Sequence, residues 1–318
     1  MRVKPRISVV VPMLNETRTL PELLAALKSQ SRRPDEIVFV DAGSTDGSAD
    51  VIGRWWAGEG WPGLGCQVIT VPGAFPGAGR NAGVRVAQGE WIAFIDAGID
   101  PDRKWLERLE RALESSGAPG VFGVCRFTAE PAFQRTLCAL SNGMGAVYPV
   151  VPASLFRKEV FNTAGYFPER LRAAEDLLWV SRYESAYGSP AVCRDAEVLY
   201  RHFPTTWVGA ARKWQIAEYF SVLAGVRIRQ QAAFLMLLPL LYAALLTGTT
   251  WGALIFSAYL LLRGVVDPLR RSHPRRWWGG HPQAVLMALA MGPVLDAAKI
   301  TGIIQGLLAK GRGRPMRP

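Results

Sequence analysis

The chain has 318 residues, 49% hydrophobic and only 20% charged, and this composition excludes an intrinsically disordered protein. The formal net charge is +11, and it is unevenly distributed. Residues 1–200 hold 22 basic and 23 acidic side chains, whereas residues 201–318 hold 15 basic and 3 acidic ones. Because the basic part is also rich in Leu, Ala and Trp, its charge indicates a membrane surface more than a nucleic acid.

Cysteine and histidine are few and widely separated. The four cysteines form no Cys-x-x-Cys pair, which excludes a zinc ribbon and argues against a disulfide scaffold. With three histidines in the whole sequence, a polyhistidine metal site is also excluded. We expect buried, reduced thiols in a cytosolic domain.

Up to residue 200, short apolar runs alternate with helical periodicity, which is the pattern of an α/β layer. Strands are predicted at Ile7–Val11, Ile37–Val40, Gln67–Val71 and Trp91–Ile95. The continuous β-branched run of the first strand is typical of a parallel strand that is buried on both faces. Polar residues follow the strands, as Asp41 follows the second one, and strand ends are where open α/β sheets bind ligands.

A hydrophobic hairpin is predicted in the basic part of the chain. Arg229 and Arg263 bracket 33 residues without a charge. As one helix they would be about 50 Å long, against about 30 Å for the hydrocarbon core of a bilayer. Since Gly248–Gly252 supplies a turn in the middle, we expect two crossing helices, roughly Val226–Leu246 and Thr250–Val266. A buried helical hairpin of a soluble protein is the alternative.

A third apolar stretch, Ala284–Leu308, is interrupted by Asp296 and Lys299. Basic clusters lie on both sides of it, and positive charge marks the cytoplasmic side of a membrane. Both clusters are cytoplasmic only if the hairpin crosses twice and the third stretch does not cross, so we expect an interfacial or re-entrant helix. Thr206–Arg229 is predicted as another interfacial helix. The predicted domains are an α/β domain at 1–204, an interfacial helix at 205–230, the hairpin at 231–267, and a basic loop with the third membrane-associated helix at 268–318.

Two features of the α/β part are suited to binding a nucleotide. Asp41 precedes the turn Gly43–Gly47, where a carboxylate can accept hydrogen bonds from a base and a helix N-terminus suits phosphate. Arg80 stands at a helix start within Gly77–Gly83, where it can grip a diphosphate. The third glycine of that run comes one place late for Gly-x-Gly-x-x-Gly, which argues against a dinucleotide site. The alternative for Asp41 is an ordinary structural turn.

Two further features are carboxylates with candidate chemistry. Asp96 ends a strand, where a carboxylate can hold Mg²⁺ or Mn²⁺ against a diphosphate. In Glu175-Asp176 the adjacent carboxylates repel each other, which can raise one pKa toward the range of a general base. Helix-capping aspartates and an exposed acidic pair are the alternatives.

Five short motifs follow one another along the chain: Pro12-x-x-Asn15-Glu16, Asp41-x-Gly-Ser44-Thr-Asp46, Gly79-Arg80-Asn81, Asp96-Ala-Gly and Glu175-Asp176. Together they closely resemble the family-two inverting glycosyltransferases over roughly residues 5–205. That resemblance implies the GT-A nucleotide-diphospho-sugar fold, a Rossmann-like α/β fold with a mixed, mostly parallel sheet. Many bacterial members of the family end in membrane helices, and the hydrophobic tail of this chain is similar to them more loosely.

The resemblance also implies a role for each matching residue. Asp176 would be the base that deprotonates an acceptor hydroxyl, with Glu175 beside it. Asp96 would bind Mg²⁺ or Mn²⁺, and His202 lies where related enzymes can present a histidine to the metal. The nucleotide-sugar would be bound by Pro12, Asn15, Glu16, Asp41, Ser44, Arg80 and Asn81, with Asp41 at the base and Arg80 at the diphosphate.

The chain departs from the family pattern at one position of the metal motif. The family's Asp-x-Asp is here Asp96-Ala97-Gly98, so the second carboxylate is missing. Asp100 or His202 can replace it, or the metal is held mainly by Asp96 and the diphosphate.

We therefore expect a glycosyltransferase (EC 2.4) of cell envelope polysaccharide synthesis. It would be attached to a bacterial inner membrane, with a cytoplasmic catalytic domain and no nucleic-acid partner. The donor would be a UDP- or GDP-sugar, and the acceptor a lipid-linked molecule or a glycan near the membrane. Three alternatives stay open: a catalytically silent membrane protein that binds nucleotide sugars, a polyprenyl-phosphate glycosyltransferase that needs no strong base, and a soluble nucleotidyltransferase.

Overall fold

The computed structural model describes residues 5–59, 61, 63–273 and 282–312. Their contacts divide the chain into two compact units. The first unit holds the described residues up to 126 together with 147–200, and the second holds 127–146 together with those from 201 onward. The predicted α/β domain includes residues 127–146, whereas their contacts group them with the second unit.

Nine strands form the sheet that the described residues of the first unit contain, and all but β7 lie in the order β3-β2-β1-β4-β8-β6-β9-β5. β1 pairs in parallel with β2 and β4, and β2 pairs in parallel with β3. β8 pairs antiparallel with both β4 and β6. β5 pairs antiparallel with β9, and β7 pairs antiparallel with β6. The predicted mixed, mostly parallel α/β sheet is confirmed. The strands are β1 Ile7–Met13, β2 Glu36–Asp41, β3 Gly65–Thr70, β4 Trp91–Phe94, β5 Ile99–Pro101, β6 Gly120–Phe127, β7 Val147–Pro149, β8 Leu155–Arg157 and β9 Ala191–Tyr200.

The parallel strands bring their carboxyl ends to one edge of the sheet. β2 and β4 are buried along their whole length, and β1 is buried at six of its seven positions, as their apolar sequences require. From β1 the chain adds β2 and β3 on one side and returns to add β4 on the other. The strand order therefore reverses beside β1, and the crevice at such a point is where doubly wound sheets bind ligands.

Helices connect these strands: α1 Leu20–Lys28, α2 Ser48–Glu59, α3 Pro76–Val86, α4 Trp105–Ser116, α6 Val160–Thr163 and α7 Glu175–Tyr187. Helix α7 is anchored by Trp179, which has no exposed surface. Its indole stacks on Phe167 with ring centroids 4.7 Å apart and meets Phe156 edge-on at 5.0 Å. The start of α7 is thus attached to the aromatic core of the first unit.

The glycines of α3 allow this helix to lie very close to its neighbours. A Cβ on Gly83 would overlap Val10 of β1, and one on Gly79 would lie 3.3 Å from Pro12 Cβ. A Cβ on Gly77 would overlap the carbonyl oxygen of Pro168. The Gly77–Gly83 run therefore serves close packing of a helix against a strand and a loop, which agrees with the sequence argument against a dinucleotide site.

The second unit is helical and contains long apolar segments. Its helices are α5 Ala132–Ser141, α8 Trp207–Ala224, α9 Ile228–Leu246, α10 Thr250–Leu261, α11 Asp267–Arg271 and α12 Pro282–Gly311. Five residues of π-helix join α10 to α11, so that Thr250–Arg271 is one helical segment. By length and composition, three helical segments in the described part could cross a membrane: α9, Thr250–Arg271 and α12, with mean hydropathies of 1.4, 1.4 and 1.5.

The two charges that interrupt the third apolar stretch are paired inside the second unit. α12 is continuous through Asp296 and Lys299. The Asp296 carboxylate is 2% exposed and accepts hydrogen bonds from Arg263 Nε at 2.9 Å, Tyr259 OH at 3.1 Å and Lys299 Nζ at 3.3 Å. Such internal pairing is how ionisable side chains are accommodated in apolar helices.

Gly83→Ala is expected to destabilise the first unit by about 1–3 kcal/mol, because the added methyl group would overlap Val10 and lie 3.2 Å from Val40 Cγ2. Gly53→Ala in α2 is the matched control. Nothing lies within 4 Å of a Cβ at Gly53, so the variant should be unchanged or more stable by up to about 1 kcal/mol. Thermal unfolding of both purified full-length variants measures the difference. Equal midpoints would contradict the close packing.

Candidate functional site

The loops that follow β1 and β2 are joined to each other at the carboxyl edge of the sheet. Asn15 has φ of +57°, and its backbone N–H donates to Ser44 Oγ at 2.9 Å. In return, its side-chain oxygen accepts from the N–H of Thr45 at 2.9 Å. The N–H of Glu16 donates to Ser48 Oγ at 2.8 Å. The predicted nucleotide residues Asn15, Glu16 and Ser44 are therefore brought together.

Asp41 organises the turn after β2 through one of its two carboxylate oxygens. Oδ1 accepts from the N–H groups of Gly43 at 3.1 Å and Ser44 at 2.8 Å, and from Ser44 Oγ at 2.7 Å. Oδ2 has no hydrogen-bond partner within the described ranges. Asp41 thus fixes the turn through Oδ1 and keeps Oδ2 as an acceptor for a ligand. A structural role in the turn and a role in binding a nucleotide are therefore compatible.

Arg80 of α3 lies between two carboxylates. It is 3% exposed, and its guanidinium donates to Glu175 Oε1 at 2.7 Å and to Asp96 Oδ1 at 2.9 Å. Burial lowers the pKa of Arg80, but Asp96, Glu175 and Asp176 together raise it above its ordinary value. Its Nε is buried and has no partner among the described residues. The two ion pairs use two of the five N–H groups of the guanidinium, and the expected contact of Arg80 with a diphosphate stays a prediction.

Glu175 and Asp176 begin α7 and differ in exposure. Ala174 precedes them with φ of +68°, a conformation that costs an L-residue about 1–2 kcal/mol. Glu175 is 5% exposed, and burial raises its pKa although Arg80 opposes the shift. Asp176 is half-buried, and its Oδ1 accepts from the N–H of Leu177 at 2.8 Å. Of the two carboxylates, Asp176 is therefore the one that an acceptor can reach.

Asn81 holds the loop that leads into this acidic pair. Its amide donates to the carbonyl oxygen of Phe167 at 2.9 Å and to Glu169 Oε1 at 3.0 Å, and it accepts from the N–H of Phe167 at 2.9 Å. The side chain has no exposed surface. The expected contact between Asn81 and the nucleotide stays a prediction. No local pattern in the sequence indicates the clamp, because its partners lie 86 and 88 residues away.

Asp96 offers one oxygen that fits a divalent cation. Its side chain is 38% exposed, Oδ1 bonds to Arg80, and Oδ2 has no partner among the residues described. A carboxylate oxygen is a ligand that Mg²⁺ and Mn²⁺ prefer. Within the described ranges, no cluster of three or more His, Cys, Asp or Glu side chains could hold a metal without other ligands. The residues present therefore fit a cation bound by Asp96 together with a diphosphate.

The two proposed replacements for the missing second aspartate lie in different surroundings. Asp100 is in β5, where it pairs with Leu199 of β9 and lines a cavity of about 440 Å³. Asp102, two residues on, accepts from the N–H of Lys104 at 2.9 Å and from Arg108 Nη1 at 2.8 Å. His202 is half-buried and belongs to the second unit. Its expected role at the metal stays a prediction.

Asp41 ends β2, Asp96 follows β4, and an acidic pair begins α7, an arrangement typical of α/β proteins that bind nucleotides at the carboxyl edge of a sheet. The family model "Glycosyl transferase family 2" matches residues 8–174, and the chain belongs to this family. The fold is GT-A-like, with long apolar helices toward its C-terminal end.

Three known proteins illustrate the similarity. Glycosyltransferase AglE of Haloferax volcanii is 27% identical over 193 residues, which are 57% of this chain and 62% of AglE. Staphylococcus aureus TarS 1–349 in complex with UDP-GlcNAc superposes with a TM-score of 0.52 at 17% identity, over 98% of this chain and 93% of that one. The mannosyltransferase PcManGT from Pyrobaculum calidifontis, in complex with GDP-Man and Mn²⁺, superposes with a TM-score of 0.56 at 19% identity. The superposition covers 97% of this chain and 89% of that one. The chain spans less than two thirds of the length of the curated relatives it matches first.

Asn81→Ala is expected to destabilise the first unit by about 2–4 kcal/mol, because it leaves the buried N–H and carbonyl groups of Phe167 without partners. Arg85→Ala is the matched control: its ion pair with Glu169 is half-exposed and contributes less than about 1 kcal/mol. Hydrogen exchange measures the change, which should concentrate at residues 165–169. Unchanged protection there in Asn81→Ala would contradict the clamp.

Proposed function

We propose that the chain is an inverting glycosyltransferase that moves a sugar from a UDP- or GDP-sugar to a membrane-proximal acceptor. One observation carries this proposal: the buried Arg80 joins Asp96, at the end of β4, to Glu175, beside the half-buried Asp176. Asp96, the carboxylate proposed to face the diphosphate, and Asp176, the candidate base, are thereby held in one cluster. Family membership and the GT-A-like fold support the same reaction.

The turn after β2 supports recognition of the nucleotide base. Asp41 Oδ2 is an acceptor, and both uracil and guanine present ring N–H donors. Asn15, Glu16 and Ser44 form the adjoining loops, and Pro12 lies on β1 beside α3. We assign these residues to the nucleotide pocket, with Asn81 acting through the loop that it holds.

Asp176 is proposed as the general base. It accepts the proton of the acceptor hydroxyl while the hydroxyl oxygen forms a bond to the anomeric carbon of the sugar. The bond between that carbon and the diphosphate oxygen breaks, and the nucleoside diphosphate leaves with the electron pair. A single displacement of this kind inverts the anomeric configuration.

A divalent cation fits the charge of the cluster. The cluster holds three carboxyl groups, those of Asp96, Glu175 and Asp176, against the single guanidinium of Arg80, and this excess of acidic groups repels a diphosphate. Mg²⁺ or Mn²⁺, held by Asp96 and the diphosphate, would offset this repulsion and the charge that develops on the leaving group. PcManGT, whose fold is similar, was solved with Mn²⁺ and GDP-Man.

We further propose that the second unit attaches the enzyme to a membrane, with the catalytic unit in the cytoplasm. Helix α9 and the segment Thr250–Arg271 would cross as a hairpin. On α12, a Cβ on Gly306 would lie 2.8 Å from Val222 Cβ of α8, and one on Gly302 would overlap the carbonyl oxygen of Gln215. Because α8 has exposed Arg212 and Lys213, we place it and the adjoining half of α12 at the membrane surface.

This location favours a lipid-linked or glycan acceptor at the membrane, in keeping with the basic charge of residues 201–318. A sugar hydroxyl as acceptor requires a base, whereas a polyprenyl phosphate does not. The exposure of Asp176 next to the buried Glu175 favours the hydroxyl.

Asp176→Asn is expected to lower kcat for sugar transfer by about 10²–10⁴-fold, because the base is lost, while the affinity for nucleoside diphosphate is kept. The assay uses the purified full chain, a panel of UDP- and GDP-sugars, and membrane lipid extract as acceptor. Glu114→Gln, which changes an exposed carboxylate on α4, is the control and should retain full activity. Full transfer by Asp176→Asn would contradict a base at this position and favour a phosphate acceptor. Nucleotide binding without turnover in any variant, including the wild type, would favour the silent protein.

A topology experiment tests the proposed membrane arrangement. Reporters inserted at Gly248 and after Arg312 are expected on opposite sides of the membrane, the first outside and the second in the cytoplasm. The reason is that the hairpin crosses twice and α12 does not cross. Placement of both reporters outside the cytoplasm would contradict this arrangement and show that α12 spans the bilayer.

A further inference from the structure

The ion pair between Arg80 and Glu175 is more deeply buried than the other ion pairs among the described residues of the first unit. The two side chains are 4% and 6% exposed, compared with 15% and 7% for Arg32 and Glu110. Burial on this scale is costly for charges, and a pair that is kept at such a cost can serve to fix the position of its members. Its place, between the end of β4 and the start of α7, is where the proposed reaction would occur.

Arg80 has little freedom to leave its two carboxylates. One terminal nitrogen of the guanidinium bonds to Glu175 and the other to Asp96, so that its fork bridges two elements. The guanidinium carbon also lies 5.7 Å from the ring centre of Phe167. A diphosphate oxygen that replaced either carboxylate would leave that carboxylate without its cation.

The Glu175 side chain is also held in place by its surroundings. A Cβ on Gly77 would lie 3.2 Å from Glu175 Cγ, so the side chain is pressed between α3 and the guanidinium. Glu175 is 5% exposed and its Oε1 is bonded to Arg80, whereas the next residue, Asp176, is half-buried and offers more surface to an acceptor hydroxyl. The acidic pair therefore contains one inward and one outward carboxylate.

We infer that Arg80 and Glu175 are positioning residues that touch neither donor nor acceptor and act by fixing Asp96 and Asp176. This inference rests on the proposed function. Arg80 holds the Asp96 carboxylate so that its second oxygen faces the diphosphate side. Glu175 holds the first turn of α7 so that Asp176 faces the acceptor.

Glu175→Gln tests this arrangement, with Glu110→Gln as the matched control for removing a carboxylate from a buried pair with arginine. Both variants should lose thermal stability. Only Glu175→Gln should lower kcat for sugar transfer, by about 10–100-fold, as is typical of groups that orient reacting residues. Its Kd for UDP or GDP should stay within about 3-fold of the wild-type value.

Arg80→Lys provides a second, independent measurement and replaces Glu175→Gln if that variant does not fold. Lysine keeps the charge but cannot bridge two carboxylates with a planar fork, so kcat should fall as in Glu175→Gln. Binding of UDP and GDP is then measured in EDTA, where only protein groups can contact the diphosphate, and the affinity should change by less than about 3-fold.

Two results would overturn the inference. One is equal kcat in Glu175→Gln, Glu110→Gln and the wild type, which would make the pair purely structural. The other is a tenfold or greater loss of nucleotide affinity in EDTA for Arg80→Lys, which would show that Arg80 grips the diphosphate. Absence of turnover in the wild type would instead contradict the proposed function, and it is measured first.

Discussion

The buried guanidinium of Arg80 is the group on which the geometry of the site depends. Removing one partner from a buried ion pair costs about 3–5 kcal/mol, so a cation that is 3% exposed fixes the carboxylates around it as firmly as they fix the cation. Asp96 comes from the end of β4 and Glu175 from the start of α7. The strand edge and the acidic pair are therefore positioned relative to each other by the fold before any ligand binds.

Helix α3 makes this arrangement possible because it carries the cation and packs closely. Its glycines bring the helix against β1 and against the carbonyl oxygen of Pro168, and Asn81 clamps Phe167 from the same helix. Phe167 in turn stacks on Trp179 of α7. Close packing, hydrogen bonds and the ion pair thus hold the same loop. Such preorganisation lets a catalytic group act without rearrangement during the reaction.

The sequence predicts strands and helices that a short run of neighbouring residues specifies. It does not predict contacts between residues that are far apart in the chain. β1 was predictable because a buried parallel strand is a continuous apolar run, whereas β5, β7 and β8 have three residues each and no period to detect. The site motifs indicate which residues gather at the sheet edge. They do not show that Arg80 pairs with Glu175, 95 residues away, or that Asp296 pairs with Arg263, 33 residues away. Those partners are set by tertiary packing.

The decisive measurement is an experimental structure of the full chain with Mn²⁺ and a bound UDP or GDP. We expect the diphosphate and the cation to lie against Asp96 Oδ2, while Arg80 keeps its bonds to Glu175 and Asp96 at about their present lengths of 2.7 and 2.9 Å. A guanidinium that has turned away from either carboxylate to bond to diphosphate oxygens would contradict it.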